Sequence, residues 1–264
     1  MRGVRPLPDS YHRYVAIGDS STEGIDDPAP EGGWRGWSRR LAAKLAARGG
    51  LEYANFGVRG CTTREIRDRQ LAPALALEPD LVTCFSGTND VLAPRFDLVR
   101  VLAEMREVQQ ACLAAGAVVL TFTLPDLTPL LPLARLIGPR IRALNVGVRR
   151  TCSETGALLV DFAAHPDVAT DPRLWSDDRL HANSAGHARI AEALAEALAL
   201  PGSSGAWREP LPTRPPESAW ARCRFEAAWA RRHLLPWIWA GLSKSRPADP
   251  GAARRPALTR IEPA

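Results

Sequence analysis

Five residues scattered along the chain could together transfer an acyl group. Ser20 stands in Gly18-Asp19-Ser20-Ser21, Gly57 in Asn55-Phe56-Gly57, Asn89 in Gly87-Thr88-Asn89-Asp90, and His181 in Asp178-Arg179-Leu180-His181. A serine hydroxyl is a poor nucleophile near neutral pH and needs an imidazole to take its proton. The imidazole in turn needs an acceptor on its other nitrogen to fix tautomer and orientation. Asp178, three residues before His181, is close enough within one turn to be that acceptor, with Asp177 as its competitor. The oxyanion of a tetrahedral intermediate needs donors aimed at it, and losing one typically costs about 10²–10³ in turnover. The backbone N–H groups of Ser20 and Gly57 and the side-chain amide of Asn89 could supply three. Gly57 also has no side chain to block a reacting carbonyl.

Such residues act together only if the fold gathers them. Apolar runs at 13–18, 51–56, 81–86, 117–123 and 157–162 read as buried strands. Segments 37–48, 62–75, 97–115, 139–155 and 184–198 read as helices. The helix at 97–115 is the clearest: Leu98, Val101, Leu102, Met105, Val108 and Cys112 recur every three or four residues before Gly116. Strands alternating with helices predict a parallel sheet covered on both faces. In such sheets ligands gather at the carboxyl ends of the strands. The first three blocks follow the first, second and third strands, and the Asp178–His181 block lies between the fifth strand and the last helix. All four therefore converge on one edge.

The blocks GDSS (18–21), NFGVRG (55–60), GTND (87–90) and DRLHAN (178–183) resemble, in residues, order and spacing, the SGNH/GDSL hydrolase superfamily. The resemblance covers about residues 13–199. It implies a flavodoxin-like three-layer α/β/α sandwich on a five-stranded parallel sheet, and a serine esterase that works through an acyl-enzyme. It assigns Ser20 as nucleophile, His181 as general base, Asp178 as its partner, and Ser20, Gly57 and Asn89 as the oxyanion hole. No cofactor and no metal are implied. The opening VAIGDSSTEGIDDPAPEGGWRGW resembles the actinobacterial branch, which often has an aromatic where Ser21 stands.

Two rivals belong to other classes. Aspartates after strands could bind cations in a metal-dependent phosphoesterase, although the loops lack the histidines such a site needs. A catalytically inactive binding module could keep the same fold. Among the remaining polar residues, Asp19 and Asp90 suit turns and Asp161 a cap or ion pair. His187 is expected on a helix surface, and His12 and His165 match no motif.

The apolar stretch LPDLTPLLPLARLIGP (124–139) follows the fourth strand and is expected to wall an acyl pocket, or else to pack into the core. An acetylated sugar or an acyl lipid would then be the small-molecule substrate. Five cysteines, an odd number without a C-x-x-C pair, read as small buried thiols. Residues 1–10 carry no apolar core of a leader, and no run approaches a bilayer span, so a cytoplasmic location is expected.

The net charge of +5 is uneven. Residues 1–201 carry 23 basic and 24 acidic side chains, whereas 202–264 carry 11 and 5. The body is therefore no nucleic-acid binder. Residues 10–201 form the expected hydrolase domain. The segment 206–243 holds five of the eight tryptophans and reads as a basic helical extension, docked on the domain or touching an anionic membrane. Its helix is expected at 217–235. Residues 244–264, with repeated Pro, Arg and Ala, are expected to be disordered.

Overall fold

A computed structural model describes residues 7–30, 32–130, 134–213, 218–235 and 251–263. Five strands, β1 (Arg13–Gly18), β2 (Leu51–Asn55), β3 (Leu81–Phe85), β4 (Val118–Phe122) and β5 (Leu158–Val160), pair in parallel in the order β5-β4-β3-β1-β2. Between them run α1 (Ser20–Glu23), α2 (Gly36–Ala46), α3 (Thr63–Arg69), α4 (Leu71–Leu75), α5 (Thr88–Leu92), α6 (Leu98–Ala114) and α7 (Ala134–Thr155). After β5 come α8 (Pro166–Ala169) and α9 (Ser184–Ala197). The helix α2 packs on α9, while α3, α6 and α7 pack in succession, giving a helical layer on each face of the sheet. Strands covered on both sides must be apolar throughout, and β3 is buried along its whole length.

The strand order reverses direction between β1 and β3. A crevice opens outside the carboxyl ends of the strands at such a point. Ser20 follows β1 and Asn89 follows β3, so the fold sets both at the crevice.

Four expectations are corrected. The helix expected at 62–75 is two, because Gln70 breaks it and turns its side chain back on β1: Oε1 accepts from Gly18 N at 2.8 Å and Nε2 donates to Gly18 O at 2.9 Å. That splint fixes the strand end directly before Asp19 and Ser20. Helix α7 starts at Ala134 rather than 139 and carries Pro139 within it. Cys223 is exposed, whereas the other four cysteines are buried as expected. Finally, Arg255–Ile261 is not disordered but forms β6, which adds antiparallel to β2 and makes the sheet six-stranded and mixed. An edge strand needs no alternating apolar face and tolerates Pro256, so its composition hides it.

Beyond residue 201, Trp207 sits in a 3₁₀ turn (Gly205–Arg208) and is buried in the main core against Phe162. The extension helix α10 (Ala219–Trp229) continues as a π-helical turn over Ala230–Leu234, against the 217–235 expected. Among the described residues no helix is long and apolar enough to cross a membrane.

Candidate active site

Ser20 is the first residue of α1, and Asp19 caps that helix by accepting from Ser21 N at 3.0 Å. From across the crevice His181 brings Nε2 to 2.9 Å from Ser20 Oγ. Its Nδ1 lies 2.6 Å from Asp178 Oδ2. The other oxygen of Asp178 accepts from Leu180 N at 2.9 Å and His181 N at 3.0 Å, so one carboxylate both shapes the turn and orients the ring. The turn is closed by Ser176 N donating to His181 O at 2.8 Å, and it needs a left-handed backbone at Arg179 (φ 59°). Asp177, the competitor, points outward towards Arg232 and is 80% exposed.

The electrostatics follow from this pairing. Burial alone would lower the His181 pKa, but the hydrogen bond and charge of Asp178 outweigh it and raise the imidazolium above its ordinary value. Burial would raise Asp178, yet its bonds from His181 and the backbone hold it below the usual carboxylate range. At Asp19 burial outweighs the bond from Ser21 N and the nearby His181, and pushes it up to about 7. Asp90, buried and likewise raised by burial, accepts from both the backbone N and Oγ1 of Thr63 at 2.9 Å.

Asn89, in the first turn of α5, donates Nδ2 to Cys61 O at 2.9 Å and lies 3.4 Å from Asp19 Oδ2. Gly57 is not placed as expected. It is buried, its N–H donates to Asn55 Oδ1 at 2.7 Å, and a Cβ there would stand 2.4 Å from Glu23 N. Its lack of a side chain serves packing against the back of α1. Three residues on, half-buried Gly60 (φ 79°) adjoins Cys61, the residue that Asn89 holds, and a Cβ there would meet no atom. The block NFGVRG holds both glycines, and the expectation from sequence rests on Gly57 alone.

His187 corrects another expectation. It is buried, accepts from Trp37 N on Nδ1 at 3.1 Å, and approaches Ile25 O with Nε2 at 2.9 Å. Nδ1 as acceptor fixes the Nε2–H tautomer. The ring thus satisfies a donor in the first turn of α2, which no side chain of its own N-cap serves. The signal was in the sequence: 187, 191, 194 and 198 form one helical stripe with Ala191, Leu194 and Leu198. Asp26 also lies beside the pair. Among the described residues Asp26, Asp178 and His181 bring ligand-type atoms within 4.8 Å of one another. Both ring nitrogens of His181 are already engaged by Ser20 and Asp178, which leaves imidazole nothing to offer a cation.

From Ser20 and His181 a cavity of about 120 Å³ runs inward under the sheet edge. Phe85, Phe122, Phe162, Trp175 and Trp207 form its aromatic part, and Leu124 and Leu127 from the segment after β4 line it too. Ile137 contributes from α7. Leu130 is buried but not in the lining, and 131–133 lie outside the described residues.

Residues 16–189 match the model of the GDSL-like lipase/acylhydrolase family. The chain belongs to that family. It is a carboxylic ester hydrolase. It is 30% identical over 211 residues to GDSL lipase Rv0518 of Mycobacterium tuberculosis, covering 75% of this chain and 87% of that one. Among solved structures it is similar to Axe2, an acetylxylan esterase from Geobacillus stearothermophilus, with TM-score 0.58 and 22% identity over 72% of this chain and 94% of that one. LAE5, an alpha/beta hydrolase enzyme from the metagenome of Lake Arreo, gives TM-score 0.61 and 24% identity over 75% and 99%. At these identities the solved structures show the shared family fold, and the chemistry rests on this chain's own residues.

Proposed function

We propose that the protein hydrolyses esters of acyl groups longer than acetyl through an acyl-enzyme on Ser20. The observation that carries this reading is the unbroken Ser20–His181–Asp178 hydrogen-bond chain at the mouth of an apolar cavity. His181 Nε2 takes the Ser20 proton as Oγ bonds to the ester carbon, and the raised pKa favours that transfer. The tetrahedral intermediate collapses, the ester C–O bond breaks, and Nε2–H returns the proton to the leaving alcohol. Water then gives a proton to His181 Nε2 as its oxygen bonds to the acyl carbon, the bond to Ser20 Oγ breaks, Oγ takes the proton back, and the acid leaves.

The donors for the oxyanion are the Ser20 backbone N–H, the Asn89 amide and, in place of Gly57, the Gly60 N–H. One Asn89 hydrogen is held by Cys61 O, which aims the other; that one makes only the long 3.4 Å contact to Asp19, which a developing oxyanion can replace. The apolar lining favours an alkyl chain over acetyl, the group named for the acetylxylan esterase neighbours.

A panel of p-nitrophenyl esters from acetate to octanoate tests the reading in wild type and Ser20→Ala. Turnover should fall about 10⁴-fold or more in the variant. The wild-type rate should be indifferent to a strong chelator. A Ser20→Ala variant that keeps its rate, or a wild type silenced by the chelator, would overturn it.

A further inference from the structure

The turn that carries Asp178 and His181 is held from outside the core by the extension helix. Arg179, between them in sequence, lies in the left-handed region that a residue with a Cβ adopts at a cost. Its side chain is only 12% exposed. It makes a bidentate pair with Glu226 of α10, Nη1 to Oε2 at 2.9 Å and Nη2 to Oε1 at 2.6 Å. The same group lies over the Trp229 ring at 4.4 Å and the Phe225 ring at 5.3 Å, and Nη1 also donates to Leu130 O at 3.0 Å. Arg179 therefore ties together the triad turn, the segment that follows the cavity-lining Leu124 and Leu127, and α10. A lone exposed ion pair holds little. A bidentate, stacked guanidinium on a mostly buried side chain fixes geometry as well as charge.

We infer that α10 is part of the catalytic apparatus, with Arg179 and Glu226 as positioning residues that set the His181–Ser20 geometry. This rests on the triad reading above. On this view Phe225 and Trp229 face Arg179 rather than a membrane. Truncation before α10 would also remove β6, so the test uses substitutions in the full chain.

Arg179→Asn keeps a residue that tolerates a left-handed backbone and removes the clamp. Glu226→Gln leaves the fold's core untouched and breaks only the ion pair. On a short soluble ester, kcat should fall about 10–100-fold in Arg179→Asn, as for a misplaced catalytic group, and less in Glu226→Gln. KM should stay within about twofold, since ground-state binding is unchanged. The acid limb of the pH–rate profile should move to lower pH in both, because a loosened Asp178 raises the His181 pKa less. The double variant should be no slower than Arg179→Asn, since the two act as one unit. If Glu226→Gln melts as wild type and keeps both its kcat and its acid limb, the clamp is overturned. Ser20→Ala separates the failures: inactive Ser20→Ala beside fully active Glu226→Gln overturns the clamp alone, whereas active Ser20→Ala overturns the triad reading and the clamp with it.

Discussion

Acid should loosen this protein at His187 before it unfolds the carboxylate network. Burial holds the His187 pKa down at about 4, against 6.5 when exposed. Between those values the unfolded chain binds a proton that the folded chain refuses. The group's contribution is thus complete above pH 6.5 and is lost as pH falls towards 4. At about 1.36 kcal/mol per pKa unit, the whole loss is about 3 kcal/mol, with about 2 kcal/mol gone by pH 5. Asp19 acts with the opposite sign. Its folded pKa of about 7 stands above the ordinary 3.8, so its contribution fades as pH rises through that window. The two slopes offset each other in wild type, and only a difference measurement isolates His187. His187→Asn keeps an acceptor for Trp37 N but does not titrate. Urea unfolding of both proteins from pH 4.5 to 7.5 should give a wild-type-minus-variant stability that rises by about 2–3 kcal/mol across the range. A difference that is flat with pH would refute the buried neutral imidazole. The consequence reaches the site, because His187 ties α9, which follows His181, to Ile25 and the start of α2 on the Ser20 side.

Asp178→Asn should lower kcat about 10⁴-fold. The wild-type acid limb, set above the ordinary histidine pKa, should shift to lower pH in that variant; a pH–rate profile checks both. In an acyl series, kcat/KM should climb about fourfold per methylene while the chain finds apolar lining. In Leu127→Trp the climb should stop at a shorter chain, read from the same series. Gly57→Ala should cost about 1–3 kcal/mol through its clash with α1, with kcat retained in the folded protein. Gly60→Ala keeps its N–H and meets no atom, but holding φ 79° should cost about 1–2 kcal/mol, and relaxation of that turn should misplace the donor and lower kcat. Paired melting and rate measurements distinguish the two glycines.

The parallel sheet was legible because doubly covered strands must be apolar along their length, and helices such as α6 repeat at three and four residues. Likewise Ser20, Asn89, Asp178 and His181 were legible because each follows a strand or opens the turn before the last helix, and the structure brings all four to one crevice. Gly57 and Gly60 look alike in sequence; only the close approach to Glu23 and the bond to Asn55 tell them apart. His187, expected on the helix surface because it lies past the catalytic loop, is buried because it shares the apolar stripe of Ala191, Leu194 and Leu198. The strand β6 lacked any pattern, since one edge pairing leaves most of its side chains outside the core. The grip of Glu226 on Arg179 joins residues 47 apart in sequence, and neither type announces a partner.

The central claim is that Ser20 Oγ is the atom that attacks. Intact-mass analysis after treatment with a fluorophosphonate tests it directly, because that reagent phosphonylates an activated serine and loses fluoride. Wild type should gain a single phosphonyl adduct mapping to the peptide containing Ser20, in step with loss of esterase activity, and Ser20→Ala should gain none. An adduct on another residue, or full activity in unlabelled protein after treatment, would contradict the account.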